Sequence, residues 1–83
     1  MKIFVDFHNA DRLGRVRLNL ASTEFDLEEQ NVELKEGKPI SMYQEQINIE
    51  GIICYSNEEN IWVAEIDWWN IVEEEENSEV ISD

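Results

Sequence analysis

The sequence predicts a mainly β domain: a small antiparallel barrel of five or six strands, with one short helical turn near residues 23–30. Two observations carry this prediction. Apolar and polar residues alternate with a period of two through most of the chain, and short turn-forming segments separate the alternating runs. Short strands at close spacing favour closure into a barrel, because closure leaves no free sheet edge. An SH3-like barrel is the predicted architecture, and an OB-like barrel is the alternative.

Each strand is predicted from an apolar run that alternates with polar residues. The five runs begin at Ile3, Val16, Ile40, Ile47 and Ile61. Residues 8–14 are rich in Asn, Asp and Gly and are expected to join the first two strands as a long hairpin loop. Gly51 interrupts the fourth run, where a bulge or a sharp bend is the usual reason for a glycine. The expected connectivity is therefore a meander.

The helical turn is predicted from the segment 21–30, where the alternation fails. Thr23, followed three residues later by Asp26, resembles a capping box, in which the two side chains satisfy free backbone N–H groups. Phe25 is the expected apolar anchor of this turn, supplemented by Leu27. One or two helical turns are expected, with an acidic loop as the alternative.

The domain organisation follows from length and charge. The chain has 83 residues, 42% of them hydrophobic, which suits one small domain over residues 1–72. Residues 73–83 contain a run of glutamates whose mutual repulsion predicts an acidic disordered tail. The formal net charge is −14, and all six basic residues precede Pro39. The charge is therefore distributed unevenly along the chain.

Enzymatic chemistry finds little support in these residues. His8 is the one histidine and Cys54 the one cysteine, so a hydrolytic triad and a Cys₂His₂ zinc site lack their components. Asp6, His8 and Asp11 could converge on a metal, but turn geometry is the favoured explanation for this segment. We expect no enzymatic activity, no catalytic residues, no cofactor and no metal, and a buried or half-buried, unreactive Cys54 thiol.

Location and partners are predicted from the ends and the charge of the chain. An acidic residue within the first six and the lack of a long apolar run argue against a signal peptide or a membrane span, so a cytoplasmic protein is expected. A strongly acidic surface repels nucleic acid and anionic membranes and attracts cationic partners. A monomer is expected, or a homodimer through the edge of the strand 61–67, which carries few charges.

Aromatic residues beside acids supply the candidate contact surface. Trp62 and Ile66 are expected to be buried in the core, whereas adjacent Trp68 and Trp69 cannot both point the same way along one strand. An exposed indole next to carboxylates suits a cationic side chain. The alternative is a turn that folds both indoles over the open end of the barrel. The predicted partner-binding residues are Trp69, Trp68, Asp67, Glu65, Tyr55 and Tyr43.

The function predicted from the sequence is a small acidic protein-interaction domain that binds a basic macromolecular partner. One alternative is a nucleic-acid-mimicking inhibitor or immunity protein of phage or mobile-element type, whose carboxylates would copy phosphates in the groove of a basic nuclease. A second alternative is an accessory subunit of a larger assembly.

Overall fold

The chain forms one curled, open sheet with a single helix beside it. The computed structural model describes residues 2–68 and the backbone of residues 72 and 73. The elements are β1 (Ile3–Phe4), β2 (Val16–Arg17), α1 (Ala21–Glu29), β3 (Pro39–Gln44), β4 (Ile47–Ser56), β5 (Ile61–Ile66) and β6 (Val72–Glu73). The prediction of a mainly β domain with one short helix is confirmed. No helix in the described part of the chain is long and apolar enough to cross a membrane.

The strands follow the order β1-β3-β4-β5-β2 across the sheet, and β6 pairs with β4. β1 is parallel to β3, and the other pairs are antiparallel. The predicted closed antiparallel barrel is therefore wrong, and neither the SH3-like nor the OB-like architecture is confirmed. The sheet is a half-barrel, and its first two strands lie at opposite ends of the strand order. Alternation tells which face of a strand is buried, but it does not tell which strands become neighbours.

The β2 edge is covered by the segment that precedes it. The Asp11 N–H donates to the Arg15 carbonyl at 2.8 Å, and the Arg17 N–H donates to the Asn9 carbonyl at 2.9 Å. The predicted long hairpin between the first two strands is replaced by a tight turn within residues 10–16. The strand predicted as a dimer edge is not free at its middle. β5 pairs with β4 on one side, and Val63 and Ala64 pair with β2 on the other.

The β1 edge is covered by side chains from α1 and the residue after it. The Phe4 N–H donates to Asp26 Oδ2 at 3.0 Å, and Gln30 Nε2 donates to the Lys2 carbonyl at 2.9 Å. These bonds occupy backbone groups that a second chain would otherwise use to extend the sheet.

The core lies on the face of the sheet that is turned toward α1, here called the inner face. Its buried members are Ile3, Val5, Phe7, Val16, Leu18, Leu27, Ile40, Met42, Ile49, Ile53 and Ala64. Trp62 and Ile66 flank Ala64 on the same face of β5 and are half-buried against this cluster. The expected face of these two side chains is confirmed, but they are half-buried rather than buried.

The helix differs from the prediction in its start and in its anchor. α1 begins after Leu20, which makes no side-chain cap, so the predicted capping box is wrong. Thr23 is fully buried and Leu27 is 5% exposed, whereas Phe25 is 61% exposed. Residues four apart share one side of a helix, while a residue two positions away lies about 200° around the axis. Leu27, rather than Phe25, therefore anchors α1 to the core.

Gly51 is required by close packing rather than by a bulge. The ladders of β4 with β3 and with β5 continue through Gly51 without an extra residue. A Cβ atom there would lie 2.7 Å from the Glu65 carbonyl oxygen and 2.8 Å from Met42 Cε. Only glycine fits at this position, because the backbone oxygen cannot move away independently of β5.

β5 and β6 pair with the same strand in two different registers. Ile66 is opposite Gly51, and Val72 is opposite Asn48. Five residues therefore separate Ile66 from Val72, whereas only two separate their partners on β4. The strand β6 was not predicted. It includes Glu73, where the predicted tail begins, and the remainder of that tail, residues 74–83, lies outside the described residues.

Candidate interaction surface

The face of the sheet opposite the core, here called the outer face, carries the candidate surface. On β4, the residues Ile49, Gly51 and Ile53 are buried toward the core, so the alternate positions Glu50 and Ile52 point outward. Both outward residues are exposed. The outer face of β4 is therefore accessible at the centre of the sheet.

Cross-strand pairing places a carboxylate beside Ile52 on its β5 side. Ile52 is directly opposite Glu65 on β5 and lies two residues from Glu50 on β4. Asp67, the first residue after β5, lines one groove with Glu50. Directly opposed residues have Cβ atoms about 4.5–5.5 Å apart. Ile52 is 42% exposed, so an apolar contact lies within a group of acidic side chains. Here this group of four residues (Glu50, Ile52, Glu65 and Asp67) is called the acidic patch.

An open groove of about 430 Å³ borders the acidic patch. Glu50 and Asp67 line it, together with Ser41, Asn48 and Lys2. The Ser41 hydroxyl donates to Glu50 Oε2 at 3.2 Å, and Lys2 Nζ donates to Asn48 Oδ1 at 2.5 Å. The groove therefore combines carboxylates with a lysine and neutral hydrogen-bonding groups.

The three arginines pair with carboxylates away from the acidic patch. The pairs are Arg12–Glu58, Arg15–Asp11 and Arg17–Glu59, with N–O distances of 2.7 to 2.9 Å. Arg17 uses Nε and Nη2 to bind both oxygens of Glu59, a fork-like geometry that strengthens an ion pair. This hydrogen bonding raises the pKa of Arg17 and lowers the pKa of Glu59.

Two carboxylates of the acidic patch, Glu50 and Glu65, are not balanced in the same way. Within the part of the chain that the structure describes, neither Glu50 nor Glu65 forms an ion pair with a lysine or an arginine. The arginines hold loops instead. The negative charges of Glu50 and Glu65 are therefore available to a cation from outside the molecule.

Asp11 organises the turn before β2. Its Oδ1 accepts hydrogen bonds from the backbone N–H groups of Leu13 and Arg15, each at 2.9 Å, and its Oδ2 accepts one from Arg15 Nε at 2.9 Å. Burial is the largest influence on the pKa of Asp11 and raises it, but these hydrogen bonds and the Arg15 charge outweigh burial and lower the pKa below its ordinary value.

The Asp11 carboxylate is directed into the protein and does not join Asp6 and His8. The His8 side chain is 94% exposed, and its Nδ1 lies 3.5 Å from Asp6 Oδ1. In the described residues, no three His, Cys, Asp or Glu side chains are grouped so that they could hold a metal ion.

Cys54 is half-buried on the outer face, where Val63 is its partner on β5. Burial raises the pKa of the thiol, and Arg15 Nη1, 3.9 Å from Sγ, opposes that rise. A thiol with a raised pKa has little thiolate at neutral pH and is a poor nucleophile.

The two predicted tyrosines lie on different faces. Tyr43 is on the outer face of β3, where its ring meets Phe4 edge-on at 5.7 Å. Tyr55 is on the inner face of β4 and meets Trp62 edge-on at 5.1 Å. Tyr43 pairs with Asn48, and β4 then runs a further ~23 Å to Tyr55 at ~3.3 Å per residue. The structure therefore does not bring the tyrosines into one patch.

Trp68 connects the end of β5 to the turn before β2. Its Nε1–H donates to the Gly14 carbonyl at 2.8 Å, and its ring meets Phe7 edge-on at 6.3 Å. The residue nevertheless remains 40% exposed. Trp69 lies outside the described residues. Of the predicted contact residues, Glu65 and Asp67 are brought together in the acidic patch, and Trp68 is directed toward Gly14.

Sequence reasoning missed Glu50 and Ile52. A signal for Ile52 was present, because Ile52 is an isoleucine at the polar phase of an alternating strand whose inward phase already contains Ile49 and Ile53. Such a residue exposes apolar surface unless another element covers it.

No protein-family model, curated protein or solved structure matches this chain.

Proposed function

We propose that this protein is a non-enzymatic interaction domain that binds a basic protein partner through the acidic patch. The observation that carries the proposal is the distribution of ion pairs. All three arginines are bound to carboxylates elsewhere, whereas Glu50 and Glu65 have no cationic partner within the described residues. A cationic surface that approaches this face gains attraction without first breaking an ion pair of Glu50 or Glu65.

Ile52 supplies the contact that charge alone cannot. Exposed ion pairs contribute little to affinity because water and salt screen them, whereas an apolar side chain that becomes buried at the centre of an interface contributes through desolvation. Carboxylates around an apolar side chain favour a partner surface in which basic residues surround an apolar side chain. Association is expected to be fast at low salt and to weaken as salt rises.

A capture experiment with matched variants tests the proposal. The tagged protein and the double variant Glu50→Gln/Glu65→Gln are incubated with native lysate at low salt, and retained proteins are identified by mass spectrometry. The control is Glu24→Gln/Glu28→Gln, which removes the same charge from exposed positions on α1. We expect basic proteins to be retained by the wild type and by the control but not by the acidic-patch variant.

Equal retention by both double variants contradicts the proposal, because it shows that diffuse charge rather than this face attracts the partner. Circular dichroism checks that each variant is folded. The two alternatives have their own readouts. A retained nuclease whose activity falls on titration with this protein indicates nucleic-acid mimicry, and a complex that survives high salt indicates an accessory subunit.

A further inference from the structure

We propose that residues 9–18, here called the strap, open from β5 as one unit, and that this opening exposes β5 to the same strand of a second copy of the chain. This inference goes beyond the proposed function, because it requires no basic partner. Backbone hydrogen bonds join the two halves of the strap: the Asp11 N–H donates to the Arg15 carbonyl, and the Arg17 N–H donates to the Asn9 carbonyl. Backbone segments that are bonded to each other in this way open together.

Few backbone contacts attach the strap to β5. β2 pairs with β5 over two residues, whereas β4 pairs with β5 over six. The Leu18 N–H adds one hydrogen bond, to the Trp62 carbonyl at 3.1 Å. Val16 and Leu18 are the apolar side chains that the strap buries in the core. The strap therefore opens at a smaller cost in free energy than the ladder of β4 and β5.

Side chains fasten the strap across β5. β2 and β4 lie on opposite sides of β5. Arg15 Nη1 nevertheless lies 3.9 Å from Cys54 Sγ on β4, so the Arg15 side chain crosses the outer face of β5. Two ion pairs and one hydrogen bond also hold the strap to the loop before β5 and to the residues after it: Arg12–Glu58, Arg17–Glu59 and Trp68 Nε1 with the Gly14 carbonyl.

Val63 shows what the strap covers. It points to the outer face of β5, because the next residue, Ala64, faces the core. Val63 is nevertheless 0% exposed. Arg17 is directly opposite it on β2, and Cys54 is directly opposite it on β4. Opening of the strap removes the arginine from this position and exposes Val63 together with the edge of the strand.

The composition of β5 favours a second copy of the chain as the partner of that edge. Five of the six residues in Ile61–Ile66 are apolar, one is charged, and none is proline or glycine. Short segments of this kind pair with copies of themselves, and two identical strands can do so about a twofold axis. The formal net charge of −14 opposes the encounter of two copies at low salt. Pairing is therefore expected where the strap is open and salt screens the charge.

The test compares two double variants of equal net charge. Glu58→Gln/Glu59→Gln weakens the two ion pairs that hold the strap, and Glu24→Gln/Glu28→Gln removes the same charge from exposed positions on α1. NMR measures hydrogen exchange at the Leu18 amide, which bridges the strap and β5. The reference is the Ile53 amide, which donates to the Lys38 carbonyl at 2.8 Å. Circular dichroism checks that each variant is folded.

We expect the Leu18 amide to exchange roughly three- to tenfold faster in the strap variant than in the α1 variant, the effect of two weakened ion pairs. The Ile53 amide should exchange at the same rate in both. Equal rates at Leu18, or equal acceleration at Leu18 and Ile53, overturns the inference, because the strap then opens only when the whole protein unfolds.

Light scattering tests the second copy. At about 1 M sodium chloride, where the screening length is roughly 3 Å, the strap variant should associate faster than the α1 variant by at least the factor seen at Leu18. Addition of Ile61→Lys to the strap variant should abolish this increase, because a charged side chain on an edge strand opposes pairing. Equal association of the two double variants, or no effect of Ile61→Lys, refutes pairing through β5. The capture experiment decides the proposed function separately.

Discussion

Replacement of Asp11 by alanine should be among the most destabilising changes in this protein. The Asp11 side chain is 3% exposed and accepts three hydrogen bonds, two from backbone N–H groups and one from the Arg15 guanidinium. Asp11→Ala leaves these donors without an acceptor, and it leaves the charge of Arg15, whose side chain is 17% exposed, without its partner. Removal of one partner of a buried pair costs about 3–5 kcal/mol. Water can reach the partly exposed Arg15, so the lower end, about 3 kcal/mol, is expected.

This loss is large relative to the stability of a chain of 83 residues. At roughly 0.05–0.15 kcal/mol per residue, the whole free energy of unfolding is about 4–12 kcal/mol. Urea unfolding, followed by tryptophan fluorescence and far-UV circular dichroism, measures the change. Asp11→Asn should fall between the wild type and Asp11→Ala, because its amide oxygen still accepts from the backbone of Leu13 and Arg15. Glu58→Gln is the control: it breaks an exposed ion pair and should leave the unfolding midpoint nearly unchanged.

The pH dependence gives an independent check of the same interaction. The pKa of Asp11 is lowered in the folded protein. Its contribution to stability is therefore fully present above the unfolded pKa of about 3.9 and is lost as the pH falls through the folded value. The free-energy difference between the wild type and Asp11→Asn should be constant from about pH 7 to pH 5 and should shrink below about pH 4. A loss of less than about 1 kcal/mol for Asp11→Ala, or a difference that is independent of pH down to about pH 2, would refute this account.

Three further predictions concern the helix, the sheet and the charge. Leu27→Ala should lower the free energy of unfolding by about 2–5 kcal/mol in urea titrations, whereas Phe25→Ser should change it by less than about 0.5 kcal/mol. Equal losses would show that Phe25 also anchors α1. Gly51→Ala should cost about 1–3 kcal/mol or more in the same assay, because its Cβ meets the Glu65 carbonyl, and an unchanged midpoint contradicts this. Sodium chloride should raise the thermal midpoint, since it screens the repulsion within a chain of formal net charge −14. A midpoint that falls with salt contradicts the charge argument.

The buried faces of the strands could be predicted from the sequence, whereas their partners could not. Alternation placed Ile3, Val5, Val16 and Ile53 inward, and all four are buried. The same pattern is consistent with many strand orders, because every strand with one buried face looks alike in the sequence. The other side of β1 is bonded by Asp26, to Phe4, and by Gln30, to the adjacent Lys2, and these partners are more than twenty residues away in the sequence. No local pattern indicates such contacts.

The helix shows a similar limit. A threonine three residues before an acid resembles a cap whether or not a helix begins there, since the pattern is short and common. The burial of two side chains determines where the helix lies relative to Thr23. Thr23 and Leu27 lie on the same side of α1 and face the core, so Thr23 is fully buried inside α1 and does not cap its start. The helix consequently begins earlier, after Leu20.

The candidate site was predictable in part for the same reason. Glu65 and Asp67 could be named because acids at alternate positions of one strand share a face. Glu50 and Ile52 could not be assigned to the same patch before the register of β4 against β5 was known. The bond from Trp68 to Gly14 joins residues 54 positions apart, and no local pattern indicates such a contact.

The positions of the few basic residues explain both which loops are held by ion pairs and which surface remains acidic. Arg12, Arg15 and Arg17 stand close together in the sequence, so their ion pairs are concentrated around β2 and the loop between β4 and β5. There they hold the sheet edge and shield Asp11, Glu58 and Glu59. No lysine or arginine follows Lys38, so β4 and β5 carry no cation of their own. The acidic patch thus results from the placement of the arginines as much as from the number of acids. Adding one cation there, as in Ile52→Lys, should reduce retention of basic partners more than Ile52→Gln, which removes the same apolar contact without adding charge, while the arginine pairs remain intact. Equal retention of these two variants in the capture assay would contradict this link between charge placement and binding.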